Sequence, residues 1–459
     1  MLKRFLRTAA FCVLVIFGIC LMMGPSGCKK TGTPATPTPT PTPIPTPVMP
    51  DTPLTITKVA PDTGAFSTSV TITGTGFSAA VTGDSVYFNG VNASIQQASS
   101  TSLVVTVPKG AGTGPVKVVA GSKNGIGPTF NYVYTVTVST LAGIAFQPGS
   151  VNGAVTVAQF NNPYGVAVDA QGNVYVADYY NSLIRKITAA GIVSTLSGVS
   201  AKAGYVDGGP STAEFNGPSG IAVDGQGNVY VGDVNNNAIR FVSPTGQVST
   251  LAGSSAGLAG YFDGSGSAAE FAYPYGLALY GQGTLYVADA GNNLIRDMTT
   301  TGSVGTFAGE YGTSSGVPQG GYVDGNESIA RFYSPFGVAV DGQGNVYVAD
   351  GANNRIRKVS GGVVSTLAGD GTGGYEDGPG ATAEFNMPFS VAVDGQGNVY
   401  VADRVNAVIR KVTPSGVVST LAGNGTSGHV DGAAATAEFA GPTGIAVDGQ
   451  GNVYAVEFV

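Results

Sequence analysis

The chain has 459 residues, 71 of them Gly and 26 Pro, and only 11% carry a charged side chain. An average soluble domain has about 7% Gly and about 25% charge, so short elements and turns dominate here. A net charge of −7 argues against a nucleic-acid partner, which needs a basic patch, and a single His excludes a His-rich metal centre. The 43% of hydrophobic residues is enough to fill a core.

In chain order, residues 1–27 read as an export signal. Lys3, Arg4 and Arg7 precede an apolar run from Thr8 to Met23, followed by Pro25-Ser26-Gly27-Cys28. Small residues before a Cys resemble a bacterial lipoprotein signal, which implies acylation of Cys28 and a membrane-anchored protein of the cell envelope, periplasmic or at the surface. An uncleaved anchor and a plain signal peptide fit the same run. Cys12, Cys20 and Cys28 are the only cysteines, so the chain beyond them has neither a disulfide framework nor a thiol nucleophile. Residues 28–53 form a Thr/Pro-rich linker. Alternating Pro fixes φ and removes donors, which predicts an extended polyproline-II spacer.

Residues 54–135 alternate in short runs such as Val70-Thr71-Ile72-Thr73 and Leu103-Val104-Val105-Thr106, broken by Gly and Pro. Strand-length runs with turn signals every 8–12 residues predict a β-sandwich. The succession P-D-T-G (61–64), V-T-I-T-G-T-G-F (70–77), V-Y-F-N-G (86–90) and L-V-V-T-V-P (103–108) resembles the IPT/TIG immunoglobulin-like family. That resemblance implies a spacer or interaction module.

Residues 136–459 are an internal repeat anchored on Pro163, Pro218, Pro274, Pro335, Pro388 and Pro442, spaced 55, 56, 61, 53 and 54 apart. Each copy holds four strand-like runs, for example Val391–Val393, Val399–Ala402, Val408–Val412 and Val417–Leu421. Four strands in each of six starts predict a six-bladed β-propeller, so the chain is expected to be all-β. The runs P-x-G-x-A-x-D, G-N-V-Y-V-A-D, N-x-x-I-R and S-T-L-A-G resemble NHL repeats. The sixth copy ends after its second strand, and its last strand is expected from residues 136–143. Its third strand, the N-x-x-I-R run, has no counterpart in the repeat, which fits either a ring that closes imperfectly there or a truncated sequence.

Asp169, Asp224, Asp341, Asp394 and Asp448 open the hairpin D-x-Q-G-N, where Asp bonds backbone donors and Gly takes positive φ. Asp178, Asp233, Asp289, Asp350 and Asp403 end the second strand in D-x-x-N, with Glu457 in the same slot; they read as structural turn residues. Arg185, Arg240, Arg296, Arg357 and Arg410 are expected to cover blade surface or pair with neighbouring acids. His429 stands where other copies have Tyr, so it reads as a substituted turn aromatic. No catalytic residue and no metal ligand is assigned. Calcium, held by Asp, Asn and Glu, is the one metal that this composition leaves open.

Ligands are expected where the copies differ. After each anchor Pro come Tyr164, Ser219, Tyr275, Phe336, Phe389 and Thr443; inside D-x-x-N come pairs such as Tyr179-Tyr180 and Arg404-Val405. Both loops flank the inner two strands, so Tyr164, Tyr179, Tyr180, Tyr275, Phe336, Phe389 and Arg404 are predicted to share one ligand-binding face around the channel. The expected function is an extracytoplasmic, membrane-tethered binding or scaffold protein presenting the propeller to a protein or polysaccharide. The competing reading, also implied by resemblance, is a calcium-dependent lactone hydrolase, lyase or sugar dehydrogenase acting at the channel mouth.

Overall fold

A computed structural model describes residues 2–6, 52–108, 111–133, 136–281, 283–310 and 318–458. The Thr/Pro linker up to residue 51 and Cys28 lie outside the described residues. Among the described residues no helix is long and apolar enough to cross a membrane.

The chain divides into two compact units. The smaller is an all-β module in which Ser69–Thr75 alternates exposed and buried along its length, so one face packs and the other is solvated. Its core gathers Val70, Ile72, Val86, Phe88, Leu103, Val105, Val116, Val118 and Phe130. Phe88 and Phe130 meet edge to face with centroids 5.0 Å apart.

Among the described residues the larger unit contains six antiparallel sheets, each with four long strands. In the first these are Pro163–Val168, Val174–Asp178, Leu183–Ile187 and Ile192–Ser197. The second strand is buried along its whole length in five of these sheets and from Leu285 to Asp289 in the third, because it lies between its own neighbours and the next sheet. Aromatic and branched residues fill the space between sheets. Between the first two sheets, for example, Tyr175, Ile184, Phe215, Ile221, Val229 and Val242 form one cluster. Full burial of a side chain such as Phe215 contributes about 1.5–3 kcal/mol.

The first strands line a central channel, and glycine lets them approach. A Cβ on Gly220 would lie 1.9 Å from the carbonyl oxygen of Tyr275 in the next sheet, and one on Gly165 would lie 2.0 Å from that of Ser219. This explains the Gly in P-x-G: inner strands converge more tightly than side chains permit. The sixth sheet is closed as expected by Thr137–Ala142, from the stretch before the first copy. Its missing third strand is supplied by Leu2–Leu6, which pairs antiparallel with both Thr137–Ala142 and Val453–Glu457. The same five residues open the export-signal pattern.

Candidate functional site

Each D-x-x-N carboxylate sits at a junction of three segments. Asp403 Oδ1 accepts from the backbone N–H of Asn386 at 2.8 Å, while Oδ2 accepts from Asn406 Nδ2 at 2.9 Å and from Arg410 Nη1 at 2.9 Å. The turn after Asp178, Asp233, Asp289 and Asp350 has no side-chain cap from the Asp itself; the carboxylate reaches the Asn of the turn, the loop entering the sheet and the Arg instead. The arginines are fully buried rather than covering a surface. Arg410 Nη1 also donates to Glu384 O at 2.9 Å, and Nη2 donates to Glu376 O and to Asp377 Oδ1, both at 2.7 Å. Its guanidinium lies over the Phe385 ring at 5.1 Å. Burial pushes Asp233, Asp289, Asp350 and Asp403 up to about 6, against the pull of their Arg and Asn partners. These groups are consumed by the fold, since every acceptor in them already has a donor.

The hairpin carboxylates hold their own turns. Asp169 Oδ1 accepts from the N–H groups of Gln171 and Asn173 at 3.0 and 2.8 Å. His429 Nδ1 lies 2.9 Å from Glu457 Oε2, and its half-buried residue is not among the channel-lining side chains. Glu310 pairs with Arg331, and Asp370 accepts from Thr372 N–H at 2.7 Å. Among the described residues no three His, Cys, Asp or Glu side chains converge as a metal site.

The seven residues predicted to share a face do meet at one end of the channel. Phe389, nearly buried, stacks on Phe336 with centroids 4.6 Å apart at 15°. It also meets Tyr164 and Tyr275 edge to face, each at 5.7 Å. Tyr179 lies 4.5 Å from Tyr164, and Tyr180 extends the chain at 5.1 Å from Tyr179. The Arg404 guanidinium covers Phe389 at 5.0 Å and Phe458 at 5.5 Å. Sequence reasoning missed Phe458. It follows Glu457 as Tyr179 follows Asp178, and that alignment was the available signal.

The aromatics pack on one another across the mouth because the second and sixth sheets contribute the small Ser219 and Thr443 there. A cavity of about 50 Å³ remains beneath them, lined by Gly165, Ser219, Gly220, Gly276 and Thr443 among others, room for a few waters. Further along, the channel opens to about 230 Å³ between Val, Ala, Leu and Ile side chains, with no ionisable group. Burial, then the neighbouring Tyr179 and Tyr164, push the Tyr275 hydroxyl up to about 12. Burial also raises Tyr164, against the pull of Arg404. Tyr180 keeps 53% of its surface in solvent, and Tyr273 and Tyr333, just before the first strands of the third and fourth sheets, each keep 50%. Chemically the end offers aromatic faces, phenolic hydroxyls and one guanidinium above a closed floor.

An all-β chain with a channel ringed by four-stranded sheets is a β-propeller, and the accompanying module is of the immunoglobulin-like type. The IPT/TIG domain family matches residues 54–136, and the NHL repeat matches residues 160–187, 215–240 and 332–359. The chain therefore carries an IPT/TIG domain and an NHL-repeat β-propeller. It is 29% identical over 290 residues to Protein SUPPRESSOR OF QUENCHING 1, chloroplastic, of Arabidopsis thaliana, covering 59% of this chain and 26% of that one. It is 30% identical over 293 residues to NHL repeat-containing protein 2 of Bos taurus, covering 57% and 40%. The chain thus spans well under half the length of these relatives. Among solved structures, a protein of unknown function from Bacteroides thetaiotaomicron aligns over 89% of this chain and 99% of its own, with a TM-score of 0.60 and 20% identity. An auxiliary nutrient binding protein from the same species aligns over 89% and 98%, with a TM-score of 0.50 and 17% identity. Both share the fold.

Proposed function

We propose that this chain is an extracytoplasmic binding protein, tethered to a membrane through an acylated Cys28, that presents the aromatic end of its propeller to a protein or polysaccharide. The carrying observation is the convergence of Tyr164, Tyr179, Tyr180, Tyr275, Phe336 and Phe389 with Arg404 at one channel mouth. Flat aromatic faces bury large area at low entropic cost, and sugar rings and apolar side chains both stack on them. A floor of about 50 Å³ is far below the roughly 300–1,000 Å³ of a small-molecule pocket, so the ligand lies on the face rather than in the channel. The likeness to an auxiliary nutrient binding protein is in keeping with a polysaccharide as the first class to try.

The test is a binding panel of soluble polysaccharides and purified envelope proteins against the wild type and a Tyr180→Ala/Arg404→Ala variant. The reading expects saturable binding to at least one ligand, weakened at least tenfold in the variant. Saturable binding left unchanged in that variant would refute the assigned face.

A further inference from the structure

The residue before each anchor Pro adopts the left-handed backbone conformation. Asn162, Gly217, Tyr273, Ser334, Met387 and Gly441 have φ values between +48° and +67°. Gly takes this conformation freely and Asn tolerates it, whereas a larger L side chain crowds its own carbonyl there. Tyr273 and Met387 are therefore strained at a position where neighbouring sheets use Gly.

The strain is offset by a hydrogen bond from the preceding sheet. Tyr273 N–H donates to Asn237 Oδ1, Ser334 N–H to Asn293 Oδ1 and Met387 N–H to Asn354 Oδ1, each at 2.9 Å. Each of these Asn residues directly follows a D-x-x-N turn. In the first and fifth sheets that place is held by Ser182 and Ala407, and the next sheet then has Gly217 or Gly441. From the second sheet to the sixth, a side chain stands where the Asn clamp exists and Gly where it does not.

Packing inside the propeller does not account for the two large side chains. Tyr273 keeps 50% of its surface in solvent and Met387 keeps 36%. They stand two residues before Tyr275 and Phe389 of the aromatic face, and the half-exposed Tyr333 stands three before Phe336. The first strands of the third, fourth and fifth sheets adjoin around the ring, so these exposed side chains form one arc of the rim. Backbone strain persists only where the surroundings over-determine it, and it collects at ligand-binding positions.

The rim is also nearly uncharged. Its described positions are the two residues before each anchor Pro, the one after it and those inside D-x-x-N. They hold Asn161, Asn162, Asn216, Asn235 and Asn386, but Arg404 is their one charged side chain. Its guanidinium already covers Phe389 and Phe458. Aromatic planes beside neutral amides match sugar rings and their hydroxyls, whereas an anionic glycan or a charged protein surface calls for complementary charge.

We propose that Tyr273 and Met387 are ligand-contacting residues of the mouth, held in a strained backbone conformation for that role, and that the ligand is a neutral polysaccharide. The proposal rests on the reading of this mouth as the ligand face. The Tyr273 ring stacks on a sugar ring, the Met387 thioether packs against its apolar face, and the Asn amides exchange hydrogen bonds with hydroxyls.

The test uses the full chain as wild type, Tyr180→Ala/Arg404→Ala, and Gly and Ala variants at positions 273 and 387. The probes are soluble glucan, mannan, xylan and galactan, with polygalacturonate as the anionic counterpart. The wild type should bind at least one neutral glycan saturably and polygalacturonate no more tightly. Tyr273→Gly and Met387→Gly should each weaken that binding roughly fivefold, the loss of one stacked contact. At each position the Gly variant should melt roughly 1–4 °C above the Ala variant, the reverse of their usual order. Loss of binding in Tyr180→Ala/Arg404→Ala with none in the Gly variants would overturn the roles of Tyr273 and Met387 while leaving the face in place. Glycan binding unchanged in Tyr180→Ala/Arg404→Ala would overturn the face itself. Binding to none of the neutral glycans, or tighter binding to polygalacturonate, would overturn the ligand class. Ala variants that melt above their Gly counterparts would overturn the strain.

Discussion

Replacing Arg410 by Met is the most informative single change to the propeller framework. The substitution keeps an unbranched, apolar-compatible stem but removes the guanidinium donors to Asp403 Oδ2, Asp377 Oδ1, Glu384 O and Glu376 O. Asp403 is completely buried and would keep only the Asn386 N–H and the Asn406 amide. Two opposite charges at 2.9 Å attract by roughly 6 kcal/mol at an effective dielectric near 20, which offsets the cost of burying them. Removing one partner leaves the other uncompensated, for a net loss of about 3–5 kcal/mol. Urea unfolding, followed by circular dichroism, should show that loss for Arg410→Met and a smaller one for Arg410→Lys, which keeps the charge. Arg410→Met combined with Asp403→Asn should recover part of it. A loss below about 1 kcal/mol for Arg410→Met would refute the view that these buried pairs are needed to hold the loops to the sheets.

Three further outcomes follow from the geometry. Gly220→Ala places a methyl 1.9 Å from the Tyr275 carbonyl oxygen and should destabilise by at least about 1–3 kcal/mol, measured by the same unfolding assay; an unchanged midpoint would contradict the close approach of the inner strands. Tyr275 and Tyr347 are both pushed up to about 12 by burial, with Asp341 contributing at Tyr347, so they should stay protonated at pH 11 in an ultraviolet titration. The folded state then holds protons that the unfolded chain releases near pH 10, so their contribution is complete below pH 10 and is lost between about 10 and 12. Chelator treatment should leave Tm unchanged, because the described carboxylates do not converge; a calcium-dependent rise would support a bound ion.

Much of the fold was legible because a repeat states its pattern several times. The anchor prolines, the P-x-G inner strand and the D-x-Q-G-N hairpin each follow from local backbone chemistry, and position along the chain suffices to place them. The shared face of Tyr164, Tyr275, Phe336 and Phe389 was legible for the same reason, since a fixed offset from each Pro puts them at one end. Their packing on one another was not, because it depends on Ser219 and Thr443 leaving space from other sheets. Nor was the depth of the arginines: Arg185 and Arg410 look like strand-surface cations until loops more than twenty residues earlier fold over them. The closing strand was hardest to see. Leu2-Lys3-Arg4-Phe5 resembles Ile409-Arg410-Lys411-Val412 only when register is known, and the charge pattern of an export signal accounts for it equally well.

The most direct test of the binding role uses the absence of Trp from the chain. Tyr180→Trp places a single indole reporter on the exposed rim of the aromatic mouth, and its emission can be followed while a bound polysaccharide or protein is titrated. The account predicts a saturable blue shift whose midpoint matches the affinity measured independently, and its loss when Arg404→Ala is added. Binding that saturates by an independent method while the reporter at position 180 stays unchanged would contradict it.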